Sequence, residues 1–88
     1  MTTKLLVENK HGLHLRAVAR LVRIASDFDC TIAVKNHGQA ANAKSLLNLL
    51  ALAVPEGAEV EVVAEGSDAE LALQAISRLA RARFGDPE

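Results

Sequence analysis

The sequence contains no tryptophan and no tyrosine, and Phe28 and Phe84 are its only aromatic residues. Without rings to stack on bases, it lacks the platform that single-strand nucleic-acid binders use. An excess of either charge is missing too: 10 lysines and arginines stand against 11 aspartates and glutamates, for a formal net charge of −1. No global basic field draws in a phosphate polymer. Apolar runs are short. Leu5-Leu6-Val7 gives way at once to Glu8, Asn9 and Lys10, too little for a signal-peptide core or a membrane span. The one cysteine, Cys30, has no partner for an internal disulfide, which fits a reducing cytoplasm. Lying between Phe28 and Ile32, it reads as a small buried hydrophobe rather than a nucleophile.

What is present is aliphatic. Half of the residues are hydrophobic against 24% charged, which excludes a disordered chain, and 16 alanines and 13 leucines dominate the apolar set. A length of 88 residues fits one domain, spanning 1–88. Lys4 to Glu8 reads as a short strand ended by Asn9-Lys10-His11-Gly12. From Leu15 the period becomes helical, with Val18, Leu21, Val22, Ala25 and Phe28 inward and Arg16, Arg20, Arg23 and Asp27 outward. Thr31 to Lys35 and Gln39 to Ala43 form a hairpin around Asn36-His37-Gly38. Ser45 starts a leucine-rich helix that runs from Leu46 to Val54 and stops at Pro55-Glu56-Gly57. The clearest strand, Ala58 to Glu65, alternates glutamate with valine or alanine, so one sheet face is wet. Ser67 or Asp68 caps a last helix that points Leu71, Ala72, Ala75, Ile76, Leu79 and Phe84 to the core, with Arg78, Arg81 and Arg83 at its C-terminal end. The order β-α-β-β-α-β-α describes an α+β open-faced β-sandwich, a four-stranded antiparallel sheet covered on one face by three helices.

Chemistry concentrates where the first helix begins. His14 follows the flexible Gly12 and precedes Leu15-Arg16. Unpaired N–H groups and the helix dipole favour an anion there, and Arg16 and Arg20 add cations. A histidine so placed suits attack on a phosphoryl donor, with the N–H groups holding the new dianion. Its energy-rich N–P bond would let the group pass to a second acceptor. The residues alone leave alternatives open. A histidine at a helix end is often a cap or a solvated side chain. A metal held by His11 and His14 with Cys30 or His37 needs ligands scattered along the chain, and His37 beside Gly38 suits a hairpin tip. Ser45 suits an N-cap or a phosphorylation site. The leucines after it go nearly all the way round the helix, so some are left exposed, which suggests a docking surface; a merely over-buried helix is the alternative.

Taken together, Gly12-Leu13-His14-Leu15-Arg16, Asn42-Ala43-Lys44-Ser45-Leu46-Leu47, Glu56-Gly57 and Ala64-Glu65-Gly66 with Asp68-Ala69 resemble the HPr family, the histidine-containing phosphocarriers of the bacterial phosphoenolpyruvate-dependent phosphotransferase system. The resemblance covers essentially the whole chain and implies the same fold. It implies a monomeric cytoplasmic protein, a substrate of phosphotransferases rather than an independent enzyme, with no cofactor and no metal. His14 would accept a phosphoryl group on Nδ1 from phosphorylated enzyme I and pass it to an EIIA domain, in sugar uptake or in a regulatory, nitrogen-branch system. Arg16 and the N–H groups of Arg16 and Ala17 would hold the group. Leu15, Ala19, Arg20, Arg23, Leu46, Leu47 and Leu50 would dock partners, an apolar centre with a charged rim. Ser45 matches the serine that HPr kinase/phosphorylase modifies in some bacteria. The alternative is a regulatory adaptor of the same fold, acting by protein binding under Ser45 control. Two positions depart from the family pattern: Ala17 replaces the usual proline, implying a looser site, and Asn48 replaces a common glycine in the docking helix.

Overall fold

The computed structural model describes residues 1–86. Its elements are β1 (Thr2–Leu6), α1 (Leu15–Ala25), β2 (Thr31–Asn36), β3 (Gln39–Asn42), α2 (Leu46–Ala51), β4 (Glu59–Glu65) and α3 (Ala69–Arg81), followed by a 3₁₀ turn at Arg83–Gly85. The sheet order is β1-β4-β2-β3, and every neighbouring pair is antiparallel. β4 is therefore inserted between β1 and β2, which α1 connects. The expected open-faced α+β architecture is what the chain adopts.

Period-two alternation sorts the two sheet faces. Leu5, Ile32, Val34, Ala41, Val60, Val62 and Ala64 are buried beneath the helices. On the opposite face Lys4, Glu61 and Lys35 stand in register across three strands, so each cation is directly opposite the central carboxylate. The β2–β3 hairpin turns on His37 (φ 50°) and Gly38 (φ 78°), the two positive angles that a two-residue type I′ turn requires.

Helix α1 buries Ala17, Val18, Leu21 and Ala25, while α3 buries Ala69, Ala72, Leu73, Ile76 and Ala80. Five of those nine are not large side chains but buried alanines, which let the helices sit close to the sheet.

Several expectations shift. Leu71 is 57% exposed and Leu73 takes its place in the core, because the buried stripe through Ala69, Ala72 and Ile76 includes Leu73. Ala75 and Leu79 are half-buried. Phe84 does reach the core, at 1% exposure, but from the 3₁₀ turn beyond α3 and in a left-handed conformation. Phe28 lies past the end of α1 and packs half-buried against the core, and Cys30 is also half-buried. β1 begins and ends earlier than expected because its pairing with β4 runs from Thr2↔Val63 to Leu6↔Glu59. α2 is shorter than the leucine pattern, since Ala53 at φ 51° turns the chain out of the helix. Asp68 occupies the N-cap position of α3 without a side-chain cap bond; its carboxylate instead accepts the Asp29 N–H at 2.7 Å. Ser67 donates to the Asp29 carbonyl at 3.2 Å.

Candidate functional site

The loop before α1 is fixed from below. Gly12 has φ 63°, and a Cβ there would lie 2.3 Å from the Val54 carbonyl oxygen, so the position demands glycine on two counts. The Leu13 N–H donates to that same carbonyl at 2.9 Å, and the Leu13 side chain is buried. Fully buried Asn9 donates through Nδ2 to the Gly12 carbonyl. His14 is thus delivered to the helix N-terminus by a loop clamped to the segment after α2.

His14 is the N-cap of α1, with extended backbone angles. Its Nδ1 accepts the Arg16 backbone N–H at 3.2 Å. An N–H needs a lone pair to donate to, so Nδ1 is unprotonated in this geometry and Nε2 carries the ring proton. At the other edge of the ring, Nε2 lies 2.9 Å from Asp86 Oδ2. Both contacts fit one neutral tautomer. His14 keeps about a quarter of its side chain exposed (24%) against 8% for Asp86. His11 stands edge-on to the His14 ring, with centroids 6.0 Å apart.

Asp86 is the hub of the surrounding polar groups. Oδ2 also accepts Asn9 Nδ2 at 3.0 Å, and Oδ1 lies 3.4 Å from an Arg20 guanidinium nitrogen. The same nitrogen donates to the Phe84 carbonyl at 2.8 Å. The hydrogen bond to His14 foremost, then the one from Asn9 and the nearby Arg20 charge, hold the Asp86 carboxyl below its ordinary range although burial opposes this. Arg20, expected on a solvated outer stripe, is therefore turned toward the C-terminal segment. Arg16 is exposed, as expected.

Ser45 caps α2 as expected, its Oγ accepting the Asn48 N–H at 3.3 Å. α1 and α2 pack on one another. Leu15 at 59% and Leu47 at 76% exposure are the bare hydrophobics of this helix pair; Ala19 and Arg23 are exposed, and Leu46 and Leu50 half-buried. Leu49 is fully buried instead, anchoring α2. Among the described residues no cluster of three metal-ligating side chains exists, so His11, His14, Cys30 and His37 do not converge. No helix of the described residues is long and apolar enough to cross a membrane. Sequence reading did not single out Asn9 or Asp86. The one local sign was Gly85 ahead of Asp86, a turn signal in an otherwise charged tail.

A family model described as the phosphorylation site of the PTS HPr component matches residues 1–82. The chain is 39% identical over 83 residues to the phosphocarrier protein HPr of Xylella fastidiosa, covering 94% of this chain and 93% of that one. It is 37% identical over 86 residues to the phosphoryl donor subunit DhaM of a PEP-dependent dihydroxyacetone kinase from Providencia stuartii, covering 98% of this chain but spanning only 18% of that protein's length. Among solved structures, HPr-C-His from Thermoanaerobacter tengcongensis superposes with a TM-score of 0.95 at 35% identity, over 100% of this chain and 99% of that one.

Proposed function

The chain belongs to the HPr phosphocarrier family of the phosphotransferase system, and we propose that His14 is its phosphoryl-accepting residue. The observation that carries this reading is the Nδ1 lone pair, unprotonated and aimed at the N-terminus of α1. In the transfer, Nδ1 attacks the phosphorus carried by phosphorylated enzyme I. The new N–P bond forms as the donor's own bond to phosphorus breaks, and that electron pair returns to the donor. The ring proton stays on Nε2 throughout. The Arg16 N–H that now caps Nδ1 is released to a phosphoryl oxygen, and the Ala17 N–H, in the helix's first turn and without an i−4 acceptor, is a second donor. The exposed Arg16 side chain would supply a cation to the bound group.

Enzyme I would dock on α1 and α2 through Leu15, Leu46, Leu47 and Leu50, with Ala19, Arg20 and Arg23 at the rim. The acceptor is an EIIA domain of a sugar-uptake or regulatory branch, and the likeness to a dihydroxyacetone-kinase donor subunit adds that branch to those worth assaying. Phosphorylation of Ser45 would place negative charge on the same docking face. Incubation with enzyme I and labelled phosphoenolpyruvate tests the core of this reading. Acid-labile, alkali-stable label that is lost in His14→Ala supports it; no label from a panel of enzyme I proteins overturns it. Passage of the label to individual EIIA domains then identifies the branch.

A further inference from the structure

We propose that Asp86 is a positioning residue for His14: it holds the imidazole in the Nε2–H tautomer and stabilises the positive charge that develops on the ring as Nδ1 bonds to phosphorus. The proposal deepens the phosphocarrier reading and rests on it for the transfer step, though its tautomer component stands on geometry alone.

Three observations converge. The ring is held at both edges, by the Arg16 N–H on Nδ1 at 3.2 Å and by Asp86 on Nε2 at 2.9 Å, and each contact demands the same tautomer. Asp86 is itself held, by Asn9 Nδ2 at 3.0 Å and Arg20 at 3.4 Å. Asn9 Nδ2 donates to two acceptors, the Asp86 carboxylate and the Gly12 carbonyl, so its amide orientation is unambiguous. Lastly, the segment that delivers Asp86 is anchored rather than loose. Phe84 is inserted into the core at 1% exposure, its carbonyl accepts Arg20 at 2.8 Å, and Arg83, Phe84 and Gly85 all take positive φ to make the turn. Two non-glycine residues in that region are a conformational cost that only a fixed destination for the segment offsets.

The chemistry follows from the placement. A carboxylate accepting from the distal nitrogen of a reacting histidine fixes its tautomer and offsets the imidazolium charge without taking the proton. Here the Nδ1–P bond forms, the Nε2–H bond persists, and Asp86 remains ionised opposite a ring that gains positive charge. Among the described residues, the groups facing the carboxylate are His14, Asn9 and Arg20, and His11 faces the ring edge-on. None of them supplies a competing anion.

The test separates orientation from charge. ¹⁵N chemical shifts of the His14 ring, read where it is neutral, should show Nδ1 pyridine-like and Nε2 pyrrole-like. Asp86→Ala should move both toward averaged values. Asp86→Asn, whose side-chain carbonyl still accepts from Nε2–H, should keep the tautomer and yet slow phosphoryl acceptance by roughly ten- to a hundredfold, the range that such outer partners of a histidine command. An unchanged backbone amide spectrum outside the site verifies the fold of each variant. Averaged shifts in the unaltered protein, or identical shifts in Asp86→Ala, overturn the proposal, as does full-rate acceptance by both variants. Correct shifts with no labelling of the unaltered protein would instead refute the phosphocarrier reading and leave the tautomer assignment standing.

Discussion

Replacing Gly12 by alanine isolates the strut under His14, and Gly38 provides its control. Both glycines have positive φ, 63° and 78°, so alanine at either pays the left-handed conformational cost of about 1–2 kcal/mol. Their surroundings differ completely. A Cβ at Gly38 meets nothing within 4 Å, whereas at Gly12 it would stand 2.3 Å from the Val54 oxygen and 2.9 Å from two Pro55 backbone atoms. Relieving that overlap must separate the loop from Val54 and so weaken the 2.9 Å bond from the Leu13 N–H, worth about 1 kcal/mol. The displaced backbone and loosened packing of buried Leu13 add about 1 kcal/mol more. The entropic benefit of alanine in the unfolded chain is common to both variants and cancels between them. Gly12→Ala should therefore be less stable than Gly38→Ala by about 2 kcal/mol. With a slope of about 1–2 kcal/mol per molar for a chain this small, that separates the urea midpoints by about 1 M or more. Because Gly12 leads directly into His14, the His14 amide and ring signals should move in the same variant and stay fixed in Gly38→Ala. Equal midpoints for the two variants would refute the strut.

Ser45→Ala removes the cap of a six-residue helix and should cost about 1 kcal/mol by urea unfolding, while Ser45→Asp keeps a capping oxygen and adds charge on the proposed docking face. Ser45→Asp should therefore retain stability and accept phosphate from enzyme I more slowly; unchanged transfer kinetics would make Ser45 a cap and nothing more. The Asp86 carboxyl, ordinarily at 3.8, is lowered in the fold. Its contribution to stability is then complete above that ordinary value and is lost as pH falls through the lower folded one. The stability difference between the unaltered protein and Asp86→Asn should accordingly be constant near neutrality and shrink on acidification, and in His14→Ala the Asp86 titration followed by carbon NMR should move upward. A difference that grows as pH falls would contradict the assignment. Ala17→Pro forfeits no helical hydrogen bond, since the Ala17 N–H lies in the first turn, and should raise stability by about 0.4–1 kcal/mol; a lower melting temperature would show that the closed packing around this fully buried residue has no room for the ring.

The order of elements was legible because each carries a local signal: the glutamate–valine alternation of β4, the His37-Gly38 turn, the arginine-faced periodicity of α1. Gly12 before His14 likewise marked the start of a helix. Local signals failed where two registers compete or where distant segments meet. Leu71 and Leu73 lie two residues apart, and the alanines around them do not discriminate the helix phase. Ala53, Arg83 and Phe84 adopt left-handed backbone that their side chains do not advertise. The polar hub under His14 is the extreme case. Asn9 and Asp86 are 77 positions apart, and each alone looks like turn residue or solvated tail. Only the folded return of the chain past α3 makes them a pair.

The N-cap geometry also explains how one nitrogen can serve two purposes. In the resting site the Nδ1 lone pair satisfies the Arg16 N–H, an orphan donor that would otherwise need another acceptor. On the phosphocarrier reading, that lone pair is consumed by phosphorus and the N–H loses its acceptor in the same event. The loss is repaired by the group just bound, because a phosphoryl oxygen beside the ring accepts the same N–H with the added strength of charge. The helix therefore keeps a cap in both states, first a nitrogen and then an oxygen. The contact given up is long, at 3.2 Å, so little binding must be undone before attack. The opposite edge of the ring need not move at all: Asp86 accepts from Nε2–H before and after, and its charge counts for more once the ring is positive. A site whose supporting contacts are exchanged one for one has a small barrier in both directions, which is the requirement for a protein that must give up the group as readily as it takes it.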